Sequence, residues 1–296
     1  MADTQNALHI EHWEHFFSDE VRAKLYPTWW DNTTANHWRH ERFLEAPLRV
    51  LNTERLKAAS WLAIGDGSGH DTWILRSHGF KSILTTDIGV GTLERSLREG
   101  HITRYEQANA EKLQYQDDSF DVVLCKEALH HMQRPYSAIY EMIRVAREAV
   151  VIIEPQDKYI DLPCYGGTYE PSYESVGNFV YGFSSAEMQK ICFGLNLPGV
   201  ATKNIVDVYV EGCEFHKADD NDPLFAAMKS KVSEAEAAAR DGKLKWNYIL
   251  TVIFKNFQGI SEERRIKDAL KSIGWSFLAT NTNPFLTKAS HDKPVS

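Results

Sequence analysis

The chain has 296 residues, 43% of them hydrophobic and 25% charged, which suits one large or two modest globular domains. Its 33 basic and 41 acidic side chains leave a net charge of −8, and no stretch concentrates Lys and Arg enough to neutralise a run of phosphates, which argues against nucleic acid. No apolar run approaches the ~18 residues of a bilayer span, and Met1 to His15 carry Asp, Glu and His instead of a basic region and an apolar core, so no membrane association and a cytoplasmic location are expected.

Along the chain, the first 50 residues hold Tyr26, Trp29, Trp30, Trp38 and histidines 9, 12, 15, 37 and 40. Trp61 to Gly65 then reads as a strand, Gly65-Asp66-Gly67-Ser68-Gly69 as a tight turn, and Asp71 to His78 as a helix. Strands follow at Ser82 to Asp87, Thr103 to Ala108, Phe120 to Cys125 and Ala149 to Glu154, with helices at Thr92 to Glu99 and Tyr136 to Arg147, the latter entered through Pro135. This alternation predicts a Rossmann-like α/β fold, a mostly parallel sheet with helices on both faces. Gln156 to Phe183 is long for a strand-to-helix connection and reads as a binding loop. Ser184 with Glu187 opens a further helix ending near Asn196, followed by strands at Asn204 to Val210 and Trp246 to Lys255 and helices at Pro223 to Arg240 and Ser261 to Ile273. Asn281 to Ser296 has no periodicity and is expected to be extended or frayed. The four cysteines, Cys125, Cys164, Cys192 and Cys213, form no C-x-x-C pair, so neither a disulfide framework nor a zinc site is suggested.

The glycine turn is where the chemistry begins. Residues without Cβ let the backbone turn sharply and approach a ligand, and the helix that follows points its N-terminus there. Asp87 ends the next strand 22 positions after Gly65, the separation at which a carboxylate can accept from both ribose hydroxyls of an adenosine-bearing cofactor. A nicotinamide-dependent oxidoreductase competes for this pattern, but its fingerprint wants a glycine where His70 stands.

These stretches, with Asn109-Ala110-Glu111-Lys112-Leu113, Ser119-Phe120-Asp121-Val122-Val123 and Ala128-Leu129-His130-His131, resemble the class I S-adenosylmethionine-dependent methyltransferases, in particular the small-molecule group similar to the ubiquinone-biosynthesis C-methyltransferases. The resemblance covers roughly Trp61 to Pro155. It implies S-adenosylmethionine as cofactor and a seven-stranded sheet whose last pair includes an antiparallel strand. It also implies an N-terminal helical lid over 1–50, a methyltransferase domain over 51–260 with its substrate loop at 156–183, and a C-terminal helix and tail over 261–296. Cofactor contacts are expected from Gly65, Asp66, Gly67, Ser68, Gly69, Asp87, Ile88, Asn109, Ala110, Glu111 and Lys126, with Asp66 a candidate for the ammonium of the amino-acid moiety. Asn109 departs from the family's usual aspartate, leaving an uncharged amide to accept from the adenine amine.

Methyl transfer asks for an aligned nucleophile, little water and, for a hydroxyl or ammonium acceptor, a base. Ligands sit at the carboxyl ends of strands in open α/β sheets, so the segments after the fourth and fifth strands should face the methyl group. They supply His130 and His131, able to take a proton near pH 7, and Glu154, able to orient an imidazole. Tyr26 and Trp30, with Tyr165, Tyr169 and Tyr173 of the loop, are candidate substrate contacts; flat faces with polar tips suit a sugar, a polyketide ring or a peptide. His37 and His40 share helical spacing but have no matching carboxylates, and no metal site is expected. The sequence thus points to O-methylation of a small biosynthetic metabolite by a monomer or homodimer. Nitrogen or carbon acceptors, a sugar amine or peptide amide among them, are the alternative; an oxidoreductase or a non-catalytic cofactor-binding protein are rivals of another class.

Overall fold

Strands that offer no polar side to water must be covered on both faces, and such strands build the centre of this molecule. The computed structural model describes residues 6–8, 10–12, 20–51, 53–158, 171–174 and 177–288. Five strands run parallel: β1 (Ser60–Ile64), β2 (Ser82–Asp87), β3 (Tyr105–Gln107), β4 (Phe120–Lys126) and β5 (Ala146–Pro155). Next to β5 lies β7 (Tyr248–Phe254), antiparallel both to β5 and to β6 (Gly199–Ile205), and β8 (Ser276–Ala279) closes that edge, antiparallel to β6. The order is β3-β2-β1-β4-β5-β7-β6-β8, eight strands where seven were expected. The extra strand is four residues long and largely exposed, too short and too wet to leave a periodic signal.

Successive residues of β4 serve opposite faces. Val123 and Cys125 join a core completed by Ala138, Ile139 and Met142 of α6 (Pro135–Val145), while Val122 and Leu124 join one completed by Phe43, Leu44 and Leu48 of α2 (Ala35–Leu51) and Ile74 and Leu75 of α4 (His70–Ser77). The remaining helices are α1 (Glu20–Trp29), α3 (Glu54–Ala58), α5 (Gly91–Arg98), α7 (Ser185–Gly194), α8 (Pro223–Arg240), α9 (Ile260–Ser272) and α10 (Pro284–Lys288). Pro135 and Pro223 stand in the first turns of α6 and α8, and Ser184 and Glu187 form a reciprocal capping box on α7. Among the described residues no helix is long and apolar enough to cross a membrane.

Most boundaries shift by one or two residues, and three differences from the sequence expectation have a structural consequence. The sixth strand begins at Gly199 and ends at Ile205, because Asp207 is drawn off the sheet by Arg39 and by the side chain of Asn247, which accepts from its N–H at 2.8 Å. The helix before β5 stops at Val145, and Ala146 to Glu148 already belong to the strand. Pro284 to Lys288 form a helical turn within the stretch expected to be extended. Cys125, Cys192 and Cys213 are buried thiols, while Cys164 lies outside the described residues.

Strand order reverses at β1, whose neighbours β2 and β4 lie on opposite sides, so the connections leaving the carboxyl ends of β1 and β4 diverge and open a crevice between them. The loop after β5 returns to it. Gln156 pairs with Phe183, Tyr173 pairs with Phe179, and the Tyr181 N–H donates to the His130 carbonyl at 3.3 Å.

Candidate functional site

The crevice is built largely on the ends of strands, with helices closing its far side. Gly65 and Gly67, at φ +66° and +51°, carry the chain from β1 toward α4, and a Cβ on Gly65 would lie 2.4 Å from that of Ala128. That close approach lets the two loops share one wall. Asp87, 8% exposed, ends β2 and binds the loop back: one carboxylate oxygen accepts from Gly67 N at 2.9 Å and the other from Gly89 N at 3.0 Å. Burial raises its pKa, opposed by those two N–H groups. A cavity is walled by Gly65, Gly67, Asp87, Ile88, Asn109 to Glu111 and His131. A second cavity shares Gly65, Gly67 and His131 with it and continues past Ser68, Lys126 and His130.

The two predicted catalytic segments meet through one carboxylate. Glu154 is fully buried at the end of β5; Oε1 accepts from Ala128 N at 2.9 Å and Leu129 N at 2.7 Å, capping the 3₁₀ turn Leu129–His131, and Oε2 lies 2.6 Å from His130 Nδ1. A carboxylate only accepts here, so Nδ1 carries the proton and Nε2 remains for a ligand. Burial alone would lower the pKa of His130, but the Glu154 carboxylate outweighs it and the net shift is upward. The His131 ring centroid is 3.9 Å away, and its Nδ1 lies 2.7 Å from Glu174 on the returning loop. Glu174 is held down at about 2 against the opposing effect of its burial, chiefly by His131. His130, His131 and Glu174 place three metal-ligating atoms within 4.8 Å of one another, where the sequence suggested no such set.

Several sequence assignments change. Asp66 does not face a ligand with a free carboxylate: it accepts from Asp71 N at 2.9 Å and from Thr72 N and Oγ1 at 3.0 and 2.6 Å, capping α4, and burial beside Asp71 pushes it up to about 8. Gly69 is the left-handed residue before α4, where a Cβ would meet Ile102 at 2.6 Å, so its role is packing. Asn109 Oδ1 accepts from Glu111 N at 2.9 Å, a local turn at the cavity wall. Tyr26 is 2% exposed, with its hydroxyl 3.1 Å from Ser96 Oγ and Arg95 over its ring, and Trp30 stacks on His101 at 4.0 Å. Both anchor the α1 region to α5 and the loop after it. Tyr173 is 64% exposed and lines neither cavity; Tyr159, Tyr165 and Tyr169 lie outside the described residues.

Sequence reading passed over the opposite wall of the second cavity, formed by Trp29, His40, His70, Asp71 and Glu127. Lys126 Nζ lies 3.2 Å from Asp71, 2.9 Å from Glu127 and 3.2 Å from His40 Nδ1, and Tyr248 donates to Glu127 at 2.7 Å. Burial and the Lys126 charge pull His40 down to about 4, so this imidazole is neutral. Glu127 adopts φ +53°, a strained backbone for a non-glycine residue that the ion pairs hold in place. The adjacency of Lys126 and Glu127 was visible, but nothing local placed His40 and Asp71 beside them. His37, the partner considered for His40, instead meets His70 at 3.4 Å.

A family model described as a methyltransferase domain matches residues 62–153, from β1 almost to the end of β5. The uncharacterized methyltransferase YcgJ of Bacillus subtilis (strain 168) is 40% identical over 45 residues, which are 15% of this chain; the chain spans only 18% of that relative. The crystal structure of YcgJ superposes with a TM-score of 0.46 at 17% identity, covering 72% of this chain and 98% of that one. A chain of the Haloferax volcanii complex between the Trm112 methyltransferase activator and a methyltransferase gives 0.50 at 16% identity, covering 76% and 94%, a likeness of fold.

Proposed function

We propose, from the premise that this chain carries a class I S-adenosylmethionine-dependent methyltransferase domain, that it methylates a hydroxyl of a small biosynthetic metabolite such as a sugar or polyketide, with His130 as the base. The observation that carries this reading is the 2.6 Å contact between Glu154 and His130 Nδ1, which leaves Nε2 as the acceptor nitrogen on the wall of the second cavity. His130 Nε2 takes the hydroxyl proton, and Glu154 steadies the imidazolium that results. His131, tied to Glu174, positions the returning loop over the cleft.

The residues present suit the cofactor. Each Asp87 oxygen accepts one backbone N–H and keeps a lone pair for a ribose hydroxyl. Ile88, Ala110 and Glu111 would flank the adenine, and Asn109 would offer its amide there. Gly65, Gly67 and Ser68 would form the floor for the amino-acid moiety. When bound, the cofactor supplies a methyl group already activated by a sulfonium. Asn6 lines the first cavity, which supports a covering role for the segment before residue 51.

An acceptor screen with methyl-labelled S-adenosylmethionine tests the reading: label is expected in a hydroxylated metabolite, and His130→Ala should slow transfer by roughly 10²- to 10⁴-fold. Transfer to amines or carbon acids alone would replace the hydroxyl assignment, and an unimpaired His130→Ala would remove the base. Tyr26→Phe separates anchoring from binding. It should lower stability by about 1 kcal/mol through loss of the Ser96 contact, while calorimetry finds unchanged affinity for S-adenosylhomocysteine.

A further inference from the structure

The carboxyl end of β6 opens onto a polar cavity against α2, outside the methyltransfer cleft. Arg42 and Arg49 of α2, Lys203 of β6 and Arg240 of α8 line it, with Glu45 and Glu236 as its acidic groups. Four cations against two carboxylates make a positive site in a chain whose net charge is −8. The carboxylates do not satisfy it. Glu45 is engaged by Arg49, whose Nε donates at 3.1 Å, and Glu236 stands 3.7 and 3.8 Å from Arg42 and Arg240, beyond hydrogen-bond length.

Arg42 is the most telling member. Its Nη2 donates to the Val206 carbonyl at 2.7 Å, while its Nη1 is buried with no hydrogen-bond partner, an arrangement that costs free energy until an acceptor arrives. Burial lowers the pKa of Arg42, and Asp207 and Glu236 do not make up the difference; Arg39, with Asp207 gripped at 2.9 and 3.0 Å, is raised. We propose that this cavity is a second binding site, for a small oxyanion such as a phosphate or carboxylate group, held by Arg42 together with Lys203 and Arg240. The guanidinium would turn for Nη1 to reach such an acceptor, and its planar fork suits either anion. The site stands independently of the methyl-transfer reading.

Calorimetry on the full chain with sodium phosphate and with sodium malonate tests it. Saturable binding of at least one probe is expected, weakened by added NaCl. Tighter phosphate binding would identify a phosphate-bearing ligand, and tighter malonate binding a carboxylate. Arg42→Gln should weaken the bound probe by about tenfold or more. Arg240→Gln, at a side chain 62% exposed whose loss leaves the fold intact, should weaken it severalfold. Both variants should keep wild-type affinity for S-adenosylhomocysteine. The proposal is overturned if neither probe binds the wild type saturably, or if the folded Arg240→Gln variant binds as the wild type does.

Discussion

Asp87→Ala is expected to reduce S-adenosylhomocysteine affinity by about 10²- to 10⁴-fold, the loss of two hydrogen bonds to a charged acceptor at roughly 1.5–3 kcal/mol each. The ribose would lose its carboxylate, and the empty position would also leave the Gly67 and Gly89 N–H groups without their acceptors, loosening the turn between β1 and α4. Asp87→Asn is a sharper probe. Its amide keeps one oxygen, but its NH₂ must face either Gly67 N–H or Gly89 N–H, donor against donor, so a loss of about tenfold or more is expected although size is conserved. Calorimetry on folded protein reads both, and wild-type affinity in the two variants would break the link between this carboxylate and the cofactor.

Glu154→Gln should lower turnover on the identified acceptor by the order of 10³-fold with little change in KM. Gln can keep its oxygen toward Ala128 and Leu129, yet it turns an NH₂ toward His130 Nδ1, forcing the proton onto Nε2, where it blocks acceptance from a substrate. The wild-type pH profile carries the same signature. Because Glu154 raises His130 above its ordinary 6.5, neutral imidazole gains as pH climbs through that raised value, and kcat/KM should rise there; in Glu154→Gln the rise should vanish or move to lower pH. Stability has the opposite sign: the charged pair contributes fully below pH 6.5 and fades as pH passes the raised value. Glu154→Ala should cost about 3–5 kcal/mol, because two backbone N–H groups and an imidazole lose a buried acceptor. An unaltered rate and pH profile in Glu154→Gln would leave Glu154 as a backbone cap alone.

Local chemistry made much of this protein legible in its residues. The apolar runs of β1, β2, β4 and β5 are buried on both faces and so cannot hide their pattern, a glycine is required at 65 where two loops share a wall, and Asp87 ends a strand whose length sets its reach. The pairing of His130 with Glu154 could be anticipated because one follows β4 and the other ends the adjacent parallel strand β5.

Tertiary structure decided what depends on which groups meet. Asp66 looked available until α4 presented N–H groups with no other acceptor, and Tyr26 and Trp30 looked like ligand contacts until α5 supplied Ser96 and the following loop His101. The buried cluster of His40, Asp71, Lys126 and Glu127, and the unpartnered Arg42, unite residues from separate helices and strands. Burial and neighbouring charge determine whether such groups are neutral, paired or waiting for a ligand, and both are properties of the packed molecule that no stretch of sequence carries by itself.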